Sequence, residues 1–383
     1  MVRAVGVDPG TGSMDILGFD DNDMKVFLDA SIPRDEVTRD PSIPLRVIVE
    51  HTGGEVDAIV APSGYGMPLV RVQEAPIEYI LEATFVHNVD ARRRLRIIGL
   101  RELMIRFRES DLPAWFTPGV VHLKSVPDYR KMGRIDMGTA DKVYTVAAAL
   151  RDEVEAYGYR PEDSSFIVVE AGYAYTAVIA VRNGVIVDGI GGTSGWWGFL
   201  GGGFMDSEVA YAMAHVEPSF SKSRLFEGGA SSLIGSTSLE ELVARYRRGD
   251  DKAVEAVEML TEGMVKGVLA MLASNPKPNR LYMSGRLFRL ELIGEQIKYG
   301  VKEALDNIGI SIPIASVTRL GSRTKEGATG AAIIANGLAG GRYKWVVESL
   351  RLKSSGGSIF DNVPYSSVSM KMRSVFTSQS NGT

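Results

Sequence analysis

Residues 5–23 read VGVDPGTGSMDILGFDDND, and this stretch decides the fold. An apolar run ends at Asp8, a Pro-Gly-Thr-Gly turn follows, and alternation resumes from Met14 to Phe19 until the acidic cluster Asp20 to Asp23 turns the chain again. The pattern predicts a meander with strands over 3–8, 14–19 and 24–30. A tight turn between two strands needs glycines, here Gly10 and Gly12, because glycine can reach positive φ without strain. The turn converges backbone N–H groups and the hydroxyls of Thr11 and Ser13 on one point, a concavity that suits phosphate oxygens. Asp8, at the strand end, is the kind of hard-oxygen group that holds Mg2+ through water. A plain hairpin is the competing reading. No Gly-Lys-Ser/Thr follows, so the turn is not a P-loop.

The pattern restarts at residue 165. SFIVVE (165–170) reads as a strand, Glu170-Ala171-Gly172 as its turn, and Thr176 as the start of the next strand. Asn183-Gly184 is a strong hairpin signal, with residues 185–187 as the returning strand. Both halves therefore spell strand, acid, glycine, strand, turn, strand. This duplication predicts two α/β domains of the ribonuclease-H-like type over 1–160 and 161–345, with a central nucleotide cleft, and a Ser-rich tail or arm over 346–383. Glu170 is the second candidate metal residue, and Gly172 and Thr176 the second candidate phosphate contacts. Between these landmarks, further strands are expected over 56–61, 120–123, 280–283 and 312–317. Helices are expected over 76–108, 139–157 (capped by Thr139), 238–247, 251–273, 289–308 and 325–336.

Composition limits the function. The 383 residues carry 43 Lys plus Arg against 47 Asp plus Glu, a net charge of −4, which is not the footprint of a nucleic-acid binder. Cysteine is absent, so disulfides, thiolate metal sites and cysteine nucleophiles are excluded. No apolar run approaches the ~18–20 residues of a membrane span. The opening MVRAVGVDPG does not read as a signal peptide, and a cytoplasmic location is expected. His51, His87, His122 and His215 show no metal-ligand spacing, and no role is assigned to them.

Three further places carry chemistry. Ser284-Gly285-Arg286 follows a short strand and reads either as a close approach to a planar ligand, with Arg286 stacking on a purine, or as a helix entry with an incidental arginine. Asp141 opens the 139–157 helix, where it suits either the helix dipole or a proton-accepting role toward an alcohol or water. Just upstream, Arg130, Lys131 and Arg134 form either a solvated loop or a contact for an anionic substrate, with Arg134 the candidate. Trp196 and Trp197, between glycines, are read as an apolar wall for an acceptor, the alternatives being a subunit contact or a hydrophobic plug.

In this order and spacing the motifs resemble the acetate and sugar kinase, heat-shock chaperone and actin superfamily over roughly residues 1–340, and look most like an archaeal family related to butyrate kinases. VDAIVAPSGYGMP (56–68) is similar to that family's next strand and glycine turn, AVIAVRNGVIVDGIGGTSG (177–195) to its second hairpin and glycine-rich exit, and EGATGAA (326–332) to the small-residue helix after the adenosine site. The resemblance implies ATP and Mg2+ as cofactors, Gly192 and Gly327 as nucleotide contacts, Ser63 and Gly64 as substrate contacts, a small-molecule acceptor and a homodimer. It implies an ATP-dependent phosphotransferase acting on a small, partly apolar carboxylate or alcohol, or alternatively a slow ATPase or nucleotide-binding regulator. Two departures bear on the acceptor. The family's glycine turn carries an arginine that Ala61-Pro62-Ser63-Gly64 lacks, and its three-glycine second motif is replaced by Glu170-Ala171-Gly172.

Overall fold

The computed structural model describes residues 1–87, 90, 96–217 and 220–377. The strands are β1 (Arg3–Pro9), β2 (Ser13–Asp20), β3 (Val26–Pro33), β4 (Ala58–Val60), β5 (Val70–Arg71), β6 (Ala114–Phe116), β7 (Phe166–Ala171), β8 (Thr176–Arg182), β9 (Val185–Ile190), β10 (Arg280–Ser284) and β11 (Ile314–Ser316). The helices used below are α1 (Ile77–Thr84), α2 (Arg96–Glu109), α3 (Ala140–Glu155), α4 (Asp251–Leu272), α5 (Glu291–Asn307), α6 (Glu326–Leu338) and α7 (Ser366–Thr377).

The first sheet runs β3-β2-β1-β4-β6-β5 and the second β11-β10-β7-β8-β9. In the first, β1 pairs antiparallel with β2 and parallel with β4, which pairs parallel with β6. In the second, β10 pairs parallel with both β7 and β11. Read from the hairpin side, both sheets follow one order: third, second, first, then the crossover strands. The duplication and the α/β class read from the sequence are thus borne out. The Asn183-Gly184 hairpin is also present, with both residues at positive φ (53° and 74°) as its tight turn requires.

By their contacts the residues fall into two compact units. One comprises Met1–Ser164, Val181–Asp188 and Val317–Thr383; the other comprises Ser165–Ala180 and Gly189–Ser316. In the first unit, Val5, Val7, Ile16, Ile59, Phe107 and Phe116 meet in a core between sheet and helices. Small residues let α6 lie directly on this layer. A Cβ on Gly330 would sit 1.7 Å from the Tyr144 carbonyl oxygen of α3, so no other residue fits there without moving the helix. Within the arm Ile359 and Phe360 are buried, and Phe376 of α7 stacks on Phe85 with ring centroids 4.3 Å apart. Among the described residues no helix is long and apolar enough to cross a membrane.

Some local expectations are corrected. Residues 120–123 are not a strand: Val120–His122 form a single 3-10 turn, and the strand lies just before it at β6. The apolar run is fully buried, which is what the pattern detected, but burial does not require extension. The third strand starts two residues later than expected, because Met24 has φ 58° and prolongs the turn. The 76–108 helix is interrupted: α1 stops at Phe85 in the left-handed region, and α2 resumes at Arg96, with residues 88, 89 and 91–95 outside those described. Thr139 precedes α3 but makes no capping hydrogen bond; its hydroxyl goes to Asp141.

Candidate functional site

In the first unit three acids and two lysines gather at the Asp8 turn. Asp8 ends β1 and Asp15 lies in β2, directly opposite it in the hairpin register. Asp141 and Lys142 open α3. Lys325 immediately precedes α6, whose approach to β1 brings it to the turn. The Lys325 ammonium is 3.1 Å from Asp8 Oδ2 and 4.0 Å from Asp15 Oδ2, while its backbone N–H donates to Asp15 Oδ2 at 2.8 Å. Ser31 Oγ donates to the other Asp15 oxygen at 2.7 Å. Lys142 Nζ donates to Asp141 Oδ2 at 2.7 Å, and Thr139 Oγ1 to Asp141 Oδ1.

This environment separates the carboxyls. Asp8 is 4% exposed, and burial pushes it up to about 7; Lys325 opposes the rise, and Asp141 and Asp15 add to it. Burial also pushes Asp141 upward, but the Lys142 ion pair and hydrogen bond, the Thr139 hydroxyl and Lys325 outweigh it, and Asp141 ends below its ordinary value. Two neighbouring acids held apart in this way is the arrangement from which distinct acid–base roles arise.

The surrounding turns fix the cluster. Ser63 and Gly64 do so from below: Ser63 Oγ donates to the Ala61 carbonyl at 2.9 Å and accepts the Thr117 N–H at 3.0 Å, and the Gly64 carbonyl accepts the Ala140 N–H at 3.1 Å. Ser63 is fully buried and Gly64 half-buried, and together they set the start of α3. Gly10 and Gly327 border the acids; a Cβ on Gly327 would sit 2.6 Å from Asp8 Oδ2. Thr11 and Gly12 are half-buried in the turn and Ser13 is buried beside it. Arg134 is not drawn in. It is half-buried and makes no ion pair among the described residues. Its neighbours are committed elsewhere: Arg130 donates to the Val187 carbonyl at 2.7 Å, and the buried Lys131 lies 3.4 Å from Asp128.

In the second unit the Glu170 turn gathers its own group. Glu170 is opposite Ser284 in the parallel β7–β10 register. The Gly172 N–H donates to the Tyr175 carbonyl at 2.9 Å, and Gly192 packs on the Tyr175 side chain. Gly285 has φ +103° and lies against the Ala171 backbone, 2.4 Å from where its Cβ would be, a place only glycine fills. Thr176 is 3% exposed and its hydroxyl has no hydrogen-bond partner among the described residues. Arg286 lies over the Tyr173 ring at 5.8 Å. Trp196 and Trp197 turn toward the same helix. Both half-buried rings lie near Lys266 of α4, at 5.1 and 4.9 Å, and both border Gly263 on that helix.

The chain belongs to the DUF1464 family. That family's model, described as a protein of unknown function, matches residues 6–365. No curated protein matches the chain by sequence. In structure it is similar to acetate kinase from Porphyromonas gingivalis, at 14% identity and TM-score 0.59, over 86% of this chain and 98% of that one. A propionate kinase from Francisella tularensis subsp. tularensis SCHU S4 gives 14% identity and TM-score 0.60, over 87% and 98%. Acetate kinase from Entamoeba histolytica gives 10% identity and TM-score 0.56, over 80% and 87%. At such identities the likeness is one of fold: this DUF1464 chain has the fold of acetate and propionate kinases.

Sequence reasoning missed Asp15 and Lys142 as members of the cluster, although both lie in motifs it singled out. It also missed Lys325, which only the packing of α6 brings there.

Asp8, Asp15 and Asp141 are the hard-oxygen groups that Mg2+ takes. Their arrangement nevertheless does not fit an ion coordinated directly by the turn, because an ammonium already sits against Asp8 and Asp15. Among the described residues no group of three or more acid, histidine or cysteine side chains is placed to hold a metal.

Proposed function

We propose that the chain is an ATP-dependent phosphotransferase acting on a small, partly apolar carboxylate or alcohol. The observation that carries the reading is the buried Asp8 cluster. An acid pushed up to about 7 at the end of a glycine turn costs folding free energy at neutral pH, and such costs concentrate at functional sites.

In this reading the first unit's turn, Gly10 to Ser13 with Gly327 beside it, positions nucleotide phosphates through backbone N–H groups and hydroxyls. Asp8, poised near neutrality, accepts the proton of an alcohol or water. A carboxylate acceptor is already ionised and has no proton to give up. The catalytic part expected of Asp141 becomes a positioning one: ionised, it holds Lys142 toward the cluster. In the second unit Glu170, Gly172, Thr176, Gly192 and Gly285 form the other phosphate-binding turn, and Arg286 the purine contact. Trp196 and Trp197 are the apolar acceptor contacts, with Arg134 the residue open to an acceptor anion. Catalysis is positioning and charge neutralisation. Any Mg2+ accompanies the nucleotide, and no step is routed through an ion bound by the protein. A homodimer belongs to the same reading.

One observation favours the alternative, a slow ATPase. Ser63 and Gly64 are engaged in holding α3, and the stretch 61–64 carries no arginine. The test is ADP production from ATP across a panel of short carboxylates and alcohols. Turnover that needs an acceptor supports the phosphotransferase; equal turnover without one supports the ATPase; no nucleotide-induced rise in melting temperature at millimolar ATP or ADP refutes both.

A further inference from the structure

Lys325 makes three polar contacts in a space of a few ångströms, and Gly10 leaves room for its ammonium. Its ammonium meets Asp8 at 3.1 Å and Asp15 at 4.0 Å, its N–H is bonded to Asp15, and a Cβ on Gly10 would sit 2.1 Å from Nζ. The side chain is 15% exposed, so the ion pairs are largely screened from water. The residue is thus fixed at both ends, with its charge against the phosphate-type turn. A divalent ion bridging two strand-end carboxylates needs that same position.

We propose that Lys325 is the resident cation of the Asp8 turn: its ammonium fills the place of a directly coordinated divalent ion, and a phosphate anion approaches the turn without a metal bridge to the protein. One of the two carboxylate charges is balanced in advance by a group tethered to α6, which costs no ion uptake and no dehydration of Mg2+. The phosphate part of the inference rests on the nucleotide reading above; the cation part does not.

The experiment titrates Mn2+ alone, followed by electron paramagnetic resonance, into wild type, Lys325→Met and Lys325→Arg. Wild type and Lys325→Arg, which keep the charge, are expected to bind Mn2+ no tighter than millimolar. Lys325→Met, which bares both acids, is expected to bind at least tenfold tighter and to release the ion to EDTA. Equal Mn2+ affinity in wild type and Lys325→Met overturns the assignment. Should Lys325→Met not fold, wild type alone decides: its melting shift with ADP is expected to persist in EDTA with less than a tenfold loss of affinity, and abolition by EDTA overturns the proposal. An absence of any ADP shift, with or without Mg2+, refutes the nucleotide reading instead, and the Mn2+ comparison then judges Lys325 by itself.

Discussion

Replacing Asp8 with asparagine tests the electrostatics of the site without any ligand. The folded protein holds the Asp8 proton up to about pH 7, whereas an ordinary aspartate releases it near 3.8. Between those values the folded state binds more protons than the unfolded chain, so this group makes stability fall as pH rises, and the loss is complete above about pH 7. From pH 5 to pH 8 the wild type loses about 3 kcal/mol through Asp8 alone, at ~1.4 kcal/mol for each pH unit below the folded pKa. Asparagine has no such loss. The lost Lys325 attraction already acts in the folded-state value of about 7 and does not reduce this difference, which stays about 3 kcal/mol. The expected result in thermal unfolding of ligand-free protein is therefore that Asp8→Asn gains on wild type by several degrees between pH 5 and pH 8. With an alcohol acceptor its turnover should fall 10²–10⁴-fold. A melting difference between the two proteins that is the same at both pH values would refute the placement of Asp8 near neutrality, and with it the division of roles between Asp8 and Asp141.

Three other substitutions probe separate parts of the argument. His122 is 2% exposed, and burial pushes it down from 6.5 to about 4; the unfolded chain takes up this proton first as pH falls, so wild type should lose about 2 kcal/mol by pH 5 through His122, a loss that His122→Met should lack in urea titrations at pH 7 and pH 5. Thr176→Val deletes a buried hydroxyl that has no partner, so it should leave the ligand-free melting temperature unchanged or raised, yet weaken ADP binding by calorimetry about tenfold; a clear loss of stability would mean that the hydroxyl serves the fold. Asp141→Asn should lower turnover only about tenfold with any acceptor, because its part is to hold Lys142; a 10³-fold loss confined to alcohols would return the proton-accepting role to Asp141.

What the sequence reveals of this protein depends on how local each constraint is. The Asp8 turn is legible because strand, glycine turn and strand lie within twenty residues, and the β1–β2 register follows from them. The second hairpin is legible for the same reason, through Asn183 and Gly184. Runs of one property are harder. VVHL at 120–123 is apolar because it is buried, and burial is shared by strands and tight turns alike. Arg130, Lys131 and Arg134 look equivalent as a basic run, yet two are tied to neighbours and the half-buried third makes no ion pair among the described residues. Whether a charge is committed depends on partners that the run itself does not contain.

Lys325 is the extreme case. It lies 310 residues from the Asp15 that its backbone contacts, and nothing adjacent to it in sequence marks it as catalytic. The clue lies one turn further on: EGATGAA reads as a helix with a stripe of small residues, and a stripe of small residues exists to bring backbones close. The sequence shows that α6 must approach something, but not what. Once the structure places Gly330 on Tyr144 and Gly327 on Asp8, the residue just before the helix has nowhere to go except the phosphate-type turn. The same glycines that make the helix unremarkable by composition thus set the charge of the site. A side chain at Gly327 should therefore disturb Asp8 through the displacement of Lys325 as much as through direct contact.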